Sequence, residues 1–528
     1  MRIEDLTIRE KVLQTAVLRL EKNMRIGENV GGLFVGSAIV EHDDELGLIK
    51  TKKLIEKVQE NAKIPLLVCA DFENGCGRMP GLTDLPYLMS LGATNDKQLA
   101  YDYGKATALE AKAVGVNWNF APVVDLNLPE NCYSGNSRII GDNPDNAIGL
   151  LKQIIQGMHD NGMVACAKHF PGAYDDGRDS HVTPSSNELS RDMWKKLSGK
   201  VFQELIDDGV KTVMAAHISL PSYQTQITKD GLNLPATLSH ELITKLLKEE
   251  MGFDGIVVTD ALDMGGFLGW YDTPEQSEIE CFKAGCDMLL WPSKNYVDNL
   301  VNAVETGEVS IKRLDDAVTR ILKVKEEMGL FDKNINKDQL SKEELQFIED
   351  VKKRTEEKSI TLVRDKNNFF PISPEKTKKI AVVPITHYKT ALEYAEFMVE
   401  LLKKRGFEAC LENKYMLESD FEKYDLVIHA LFSKYGQPWG FSGFMKNEFL
   451  KLLPPNRHGI EKSAVVSFGD PYFGYRYFGR VYNYVNAYSM LPGSVEAFVK
   501  AATGEIEFTD FSPVRLRGMK IENNRNEK

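Results

Sequence analysis

The feature that most constrains the fold is an alternation of two patterns over roughly the first 330 residues. Short apolar, β-branched runs end in polar residues, Gly or Pro, and segments of helical periodicity separate most of them. Buried strands that alternate with helices are typical of a parallel sheet. Seven strands are predicted in this way: Gly31–Gly36, Ile64–Ala70, Gly115–Phe120, Met163–Ala167, Lys211–Ala216, Gly255–Thr259 and Cys286–Trp291.

These repeats favour an α/β fold with a (β/α)8 TIM-type barrel over a doubly wound open sheet, although no eighth strand can be read from the sequence. The 528 residues exceed what one core usually holds, so a second domain is expected. We predict a barrel catalytic domain over residues 1–335, a bridging helix and linker over 336–372, and a smaller α/β sandwich domain over 373–528.

Composition narrows the function classes. The net charge of -12 argues against nucleic acid or an anionic membrane as the main partner, because both attract Lys/Arg-rich surfaces. No apolar run approaches the ~20 residues of a membrane span, and no secretory signal is visible, so we expect a cytoplasmic protein. Neither a G-x-G-x-x-G fingerprint nor a P-loop occurs, and no cofactor is expected. The sequence leaves the oligomeric state open.

Ionisable residues follow the predicted strands. All strand carboxyl ends of a parallel barrel open on one face, and that face carries the active site. Five strands deliver such residues there, so we expect them to converge: Asp71, Asp125, Lys168 with His169, His217, and Asp260.

Asp260 has the strongest individual case as a nucleophile. It closes the apolar run Ile256–Thr259, so a rigid strand would hold its carboxylate at the mouth of the barrel. Asp263 is the rival in the same segment, but it lies three residues further on, where a turn or helix-cap role is favoured.

The segment K-H-F-P-G-A-Y-D-D-G-R-D-S-H, residues 168–181, leaves the barrel rim as a loop. In Asp179-Ser180-His181 the carboxylate can bond one ring nitrogen and raise the basicity of the other, which predicts a general acid/base on a movable arm. The competing interpretation is an oxygen-rich metal site that adds Asp175 and Asp176. Beyond the turn at Pro171-Gly172 the loop holds no His or Cys besides His181, so we expect no metal.

Several motifs give the chain a family resemblance. It resembles family 3 glycoside hydrolases, in particular the two-domain bacterial β-N-acetylglucosaminidase group, over nearly its whole length. The motifs are G-V-N-W-N-F-A-P-V-V-D at 115–125, Ser137-Arg138 with G-D-N-P at 141–144, K-H-F-P-G at 168–172, V-T-D-A at 258–261, and V-S-F-G-D-P-Y at 466–472.

The resemblance implies a retaining exo-β-glycosidase acting on terminal N-acetylglucosamine. Asp260 matches the nucleophile, and Asp179 with His181 matches the acid/base dyad of that group. The residues that match sugar-binding positions are Asp71, Arg138, Lys168 and His169. Two stretches depart from the usual pattern. Ala173-Tyr174 stands where His-Gly is usual, and D-F-E-N-G-C-G-R at 71–78 replaces D-Q-E-G-G-R, with Arg78 as a substitute for the family's arginine.

Other candidates and rival functions remain. His217 ends a strand at the rim and is predicted to contact the ligand. Trp118 and Trp291 could stack on a sugar, although core packing is favoured for Trp118. The rival functions are a β-N-acetylglucosaminide phosphorylase, a β-glucosidase on the same scaffold, and a sugar-binding protein without catalysis.

Overall fold

The chain forms two compact units. The computed structural model describes residues 3–21, 29–36, 44–126, 136–173, 178–331, 339–366, 368–386, 389–433, 450–451, 453–472 and 481–516. The first unit, called the barrel unit, comprises Met1–Leu85, Ala100–Gly135 and Pro144–Ile348. The second unit comprises Pro86–Leu99, Asn136–Asn143 and Glu349–Lys528.

Eight parallel strands build the barrel unit. They are β1 (Ala16–Arg19), β2 (Gly32–Phe34), β3 (Leu67–Ala70), β4 (Trp118–Asn119), β5 (Val164–Phe170), β6 (Thr212–Ala215), β7 (Ile256–Thr259) and β8 (Leu289–Leu290). Each strand pairs with its neighbour in the sequence order, and β8 pairs with β1. A parallel bridge from Val258 to Met288 closes the ring between β7 and β8. The predicted barrel is thereby confirmed, and the open sheet is wrong.

The strand missing from the sequence prediction is β1. It begins two residues after the helix Ile8–Gln14 ends, within the stretch V-L-Q-T-A-V-L. Only Gln14 and Thr15 separate the apolar residues of the helix from those of the strand, and no Gly or Pro marks the junction, so periodicity alone could not divide them.

Helices of the barrel unit follow the strands, as the alternation predicted. Two helices, which meet at Leu197, occupy the segment that precedes β6. The helices that cover the barrel are Asp44–Glu60, Lys97–Ala113, Pro144–Asp160, Arg191–Lys196, Ser198–Asp207, the π-helical Glu241–Glu250, Pro274–Ala284, Tyr296–Glu305 and Ile311–Glu327.

Side chains fill the barrel, which is therefore a packed core below its mouth. Alternate residues of the strands point inward, and apolar side chains occupy these positions. This interior cluster includes Val17, Phe34, Cys69, Trp118, Phe120, Cys166, Met214, Ile256, Val258 and Leu290.

A six-stranded sheet organises the second unit. Its strands are β9 (Thr361–Asp365), β10 (Lys379–Ile385), β11 (Glu408–Leu411), β12 (Leu426–Ser433), β13 (Ser463–Gly469) and β14 (Asn483–Asn486), in the order β9-β14-β13-β12-β10-β11. Only the β9–β14 pair among these strands is antiparallel. The helices include Leu88–Thr94, Lys389–Lys404, Glu418–Phe421, Pro454–Arg457 and Pro492–Ala502.

The division of the chain differs from the predicted domain limits in two respects. Strand β9 lies in the stretch predicted as linker, yet it is an edge strand of the second sheet. Segments 86–99 and 136–143, predicted within the barrel domain, belong to the second unit. The boundary itself falls within the helix Lys342–Lys358. In the described part of the chain, no helix is both long and apolar enough to span a bilayer.

Candidate active site

The alternation of side chains along the strands places three of the predicted site residues at the same mouth of the barrel. Each of Asp71, Lys168 and Asp260 lies two residues beyond a side chain of the interior cluster, namely Cys69, Cys166 and Val258 respectively. Side chains two apart on a strand share a face. The three polar side chains therefore project from β3, β5 and β7 into the carboxyl-end opening, as the sequence predicted.

Asp260 is held firmly at the end of β7. Its backbone N–H donates to Ala215 O on β6 at 2.8 Å, and its Oδ1 accepts the N–H of Ala261 at 2.8 Å. Burial alone would raise the pKa of the Asp260 carboxyl, but electrostatic interaction with the neighbouring imidazole groups and the hydrogen bond from the Ala261 amide hold it below its ordinary value. The carboxyl is therefore ionised at neutral pH, as a nucleophile must be.

Lys168 belongs to a group of four charged side chains, of which Lys168 and Glu73 are buried and Asp71 and Arg78 reach the solvent. Its Nζ lies 2.9 Å from Asp71 Oδ1 and 2.7 Å from Glu73 Oε1, and its side chain is only 3% exposed. Arg78 adds a contact of 3.1 Å from its guanidinium to Glu73 Oε2. Two carboxylates and two cations balance in charge and offer donors and acceptors in fixed positions, which suits the recognition of sugar hydroxyls.

His169 is oriented by Asp125, a carboxylate that was predicted at the barrel mouth without a specific role. His169 Nδ1 lies 2.8 Å from Asp125 Oδ2, and the N–H of Ala173 donates to Asp125 Oδ1 at 2.8 Å. One buried carboxylate thus fixes the imidazole and the start of the 168–181 loop. The remaining ring nitrogen, Nε2, is then available to a ligand.

Asp179 and His181 form the predicted dyad. The Asp179 Oδ1 atom accepts the backbone N–H of His181 at 2.9 Å and lies 2.7 Å from its Nδ1. This bond favours the tautomer with hydrogen on Nδ1 and leaves Nε2 for proton transfer. The imidazole side chain is 39% exposed, so it can reach a substrate.

Two glycines hold the dyad loop against the segment that follows the nucleophile. Gly265 N–H donates to His181 O at 2.8 Å, and Gly266 N–H donates to Ser180 O at 2.9 Å. A Cβ on Gly265 would lie 2.1 Å from Val182 O, and one on Gly266 would lie 2.7 Å from Ser180 O. Only glycine permits this approach, which couples the dyad to the Asp260 segment.

His217 has other partners than the ligand contact predicted for it. The ring is fully buried, and its Nδ1 and Nε2 lie 3.0 Å from Thr237 Oγ1 and 2.9 Å from Ala261 O. Burial lowers the pKa of His217, so the ring is neutral at pH 7. Both ring nitrogens are occupied, and we correct the prediction: His217 positions the backbone beside Asp260.

The other predicted residues are distributed as follows. Arg138 belongs to the second unit, where it is buried, and its contact with sugar stays a prediction. Asp175 and Asp176, considered for a metal site, lie outside the described residues. Within the described ranges, no group of three His, Cys, Asp or Glu side chains is placed to share a metal ion.

Comparisons with known proteins point in one direction. A family model described as "Glycosyl hydrolase family 3 N terminal domain" matches residues 7–324. A "Beta-N-acetylglucosaminidase/beta-glucosidase" of Cellulomonas fimi is 28% identical over 495 residues, which covers 87% of this chain and 85% of that protein.

Two solved structures resemble the whole chain. "Beta-glucoside phosphorylase BglX" has a TM-score of 0.86 at 26% identity and covers 98% of this chain and 94% of that one. A family 3 β-N-acetylglucosaminidase from Paenibacillus sp. has a TM-score of 0.79 at 26% identity and covers 97% and 99% respectively.

Proposed function

The chain belongs to glycosyl hydrolase family 3, and we propose that it is a retaining exo-glycosidase that removes terminal β-linked N-acetylglucosamine. The observation that carries the proposal is the Asp179–His181 dyad, held beside the segment of an ionised Asp260. The names of the Cellulomonas and Paenibacillus relatives support this sugar.

In the proposed mechanism, Asp260 attacks the anomeric carbon while His181 Nε2 protonates the departing oxygen. A covalent glycosyl-enzyme results, and the leaving group departs as an alcohol. His181 then removes a proton from water, which attacks the same carbon and releases Asp260. Asp179 stabilises the imidazolium form of His181, which donates its proton in the first step and is formed again in the second.

The sugar hydroxyls are proposed to bind opposite the nucleophile. Lys168 and Asp71 offer a donor and an acceptor from β5 and β3, and His169 offers its Nε2. The fixed ion pairs pre-organise this region, so little conformational entropy is lost when the sugar binds.

A chromogenic β-N-acetylglucosaminide tests the proposal. The wild-type protein should release the chromophore, and Asp260→Ala should lower kcat by several orders of magnitude while it unfolds at the wild-type temperature. A fluorinated sugar should then trap an adduct on Asp260 of the wild type. An adduct on another residue would exclude Asp260 as the nucleophile. A wild-type protein that binds the sugar without cleaving it would be a sugar-binding protein without catalysis.

Phosphorolysis is a second candidate, favoured by the similarity to the β-glucoside phosphorylase. After the first step His181 acts as a neutral base, whereas a carboxylate base would repel phosphate by on the order of 1–4 kcal/mol at 4 Å. Product analysis with and without phosphate separates the two reactions. Exclusive formation of the sugar 1-phosphate, with a large rate gain from phosphate, would replace hydrolysis. The predicted cytoplasmic location stays a prediction.

A further inference from the structure

Four side chains that the proposed mechanism does not use meet beside β7, and we call them the rim cluster: Arg19, Phe34, Asp263 and Trp291. The guanidinium of Arg19 lies 3.7 Å from the ring centroid of Trp291 and forms an ion pair with Asp263. Phe34 meets the same indole edge-on, with ring centroids 4.9 Å apart.

The rim cluster lies at the same barrel mouth as Asp260. Arg19 is two residues beyond Val17, which points into the barrel, and it pairs in register with Phe34. The parallel bridge between Val258 and Met288 places Asp260 beside Leu290 of β8, because each of these residues lies two positions further along its strand. Trp291 is the next residue after Leu290, so the cluster continues the wall of the mouth from the nucleophile through β8, β1 and β2.

Trp291 carries two features that packing alone does not require. Its φ of 61° lies in the left-handed region, which is unfavourable for a bulky residue. Its indole Nε1 is buried and has no hydrogen-bond partner among the described residues. An unpaired buried donor is costly, and strained residues with open hydrogen-bonding capacity gather at ligand sites.

The chemistry of the cluster selects the kind of group that it can bind. An indole N–H only donates, so its partner must be an acceptor such as a carbonyl oxygen. Phe34 and the indole supply an apolar wall that suits a methyl group. Asp263 neutralises the charge of Arg19, so the cluster favours a neutral ligand group over phosphate.

We propose that Trp291 and Arg19 recognise the 2-acetamido group of the sugar, with the indole N–H donating to the amide oxygen and the aromatic wall packing on the methyl. The inference rests on the proposed function and adds the residues that select N-acetylglucosamine over glucose. Half of the Arg19 side chain is exposed, so the guanidinium can move off the indole and donate a second hydrogen bond to the amide oxygen as the acetamido group enters.

The test compares two sugars in two measurements. Trp291→Phe keeps an aromatic ring and removes the N–H. Binding of N-acetylglucosamine and of glucose is measured by calorimetry, and kcat/KM is measured with their 4-nitrophenyl β-glycosides. We expect the preference for the N-acetyl sugar to fall about two- to tenfold in both measurements, the contribution of one neutral hydrogen bond. Values for the glucose ligands should stay within about twofold of wild type.

Trp118→Phe is the matched control. Trp118 belongs to the same interior cluster, but its N–H already donates to Thr212 Oγ1 at 2.9 Å. This variant should unfold at a lower temperature and keep the wild-type preference between the two sugars. Arg19→Met, which retains an apolar stem, should lower the preference as Trp291→Phe does.

The outcomes separate this inference from the proposed function. Loss of the binding preference in Trp291→Phe supports the inference even if the wild type cleaves neither glycoside, in which case the proposed function alone fails. An unchanged preference in Trp291→Phe, equal losses for both sugars, or a wild type without preference overturns the inference. So does an Arg19→Met variant that changes only the dependence on phosphate, because the cluster would then bind an anion.

Discussion

Replacing Gly265 with Ala should disable acid/base catalysis and leave sugar binding intact. The new Cβ would stand 2.1 Å from Val182 O, whereas ordinary contacts begin at 3.4 Å, so the dyad loop must retreat by about 1 Å. The bond from Gly265 N–H to His181 O, now 2.8 Å, would then break. A misplacement of this size typically costs about 100-fold in rate.

The assay measures kcat and KM with aryl N-acetylglucosaminides of different leaving groups. KM should change little, because Asp71 and Lys168 lie elsewhere in the mouth. The loss in kcat should be largest for the most basic leaving group, which depends most on protonation. Gly269→Ala is the control: its φ of 82° costs stability, but nothing lies within 4 Å of the new Cβ. Wild-type kcat in Gly265→Ala, or an equal loss in Gly269→Ala, would refute the reasoning.

Three further changes have defined outcomes. Asp179→Asn should lower kcat about 10²- to 10⁴-fold, because His181 loses the charge that supports its imidazolium, and a loss independent of the leaving group would contradict this. Asp125→Ala should raise KM more than it lowers kcat, because His169 loses the carboxylate that orients it. Steady-state kinetics measures both changes, and a larger change in kcat than in KM would contradict this role. Burial lowers the pKa of Lys325 to about 7, so the folded state binds fewer protons than the unfolded chain between pH 7 and 10.5, and stability rises with pH there. Lys325→Met should remove that rise in thermal unfolding followed from about pH 6 to about pH 10, and an unchanged slope would exclude Lys325 as its source.

Much of the barrel could be predicted because its strands are short apolar runs with polar ends. Cys69, Cys166 and Val258 point inward, and the alternation carries on to Asp71, Lys168 and Asp260, which the sequence therefore placed together. The prediction of a site position is less accurate for a residue that lies off this inward-facing series. His217 follows β6 one position off the inward face, and its ring is buried against Thr237 and Ala261 O.

The contacts that sequence could not reveal join segments far apart in the chain. The dyad loop meets Gly265 and Gly266 some 80 residues later, and nothing in the residues Met264-Gly265-Gly266 identifies their partner. Asp125 illustrates the same limit, since its carboxylate serves two groups of the 168–181 loop. In the second unit, β14 reads N-Y-V-N, with polar residues at both ends, and is too weak a pattern to predict.

The ring closure between β1 and β8 has a consequence for biosynthesis. Ala16 pairs with Leu289, so the first strand to leave the ribosome waits for the last one, about 270 residues later. At roughly 5–20 residues per second, the wait is on the order of 10–50 s. Throughout it the nascent chain presents an unpaired, largely apolar edge, A-V-L-R, which other chains can join. The need to protect this edge during translation should therefore end when Leu289–Leu290 emerges and pairs with β1.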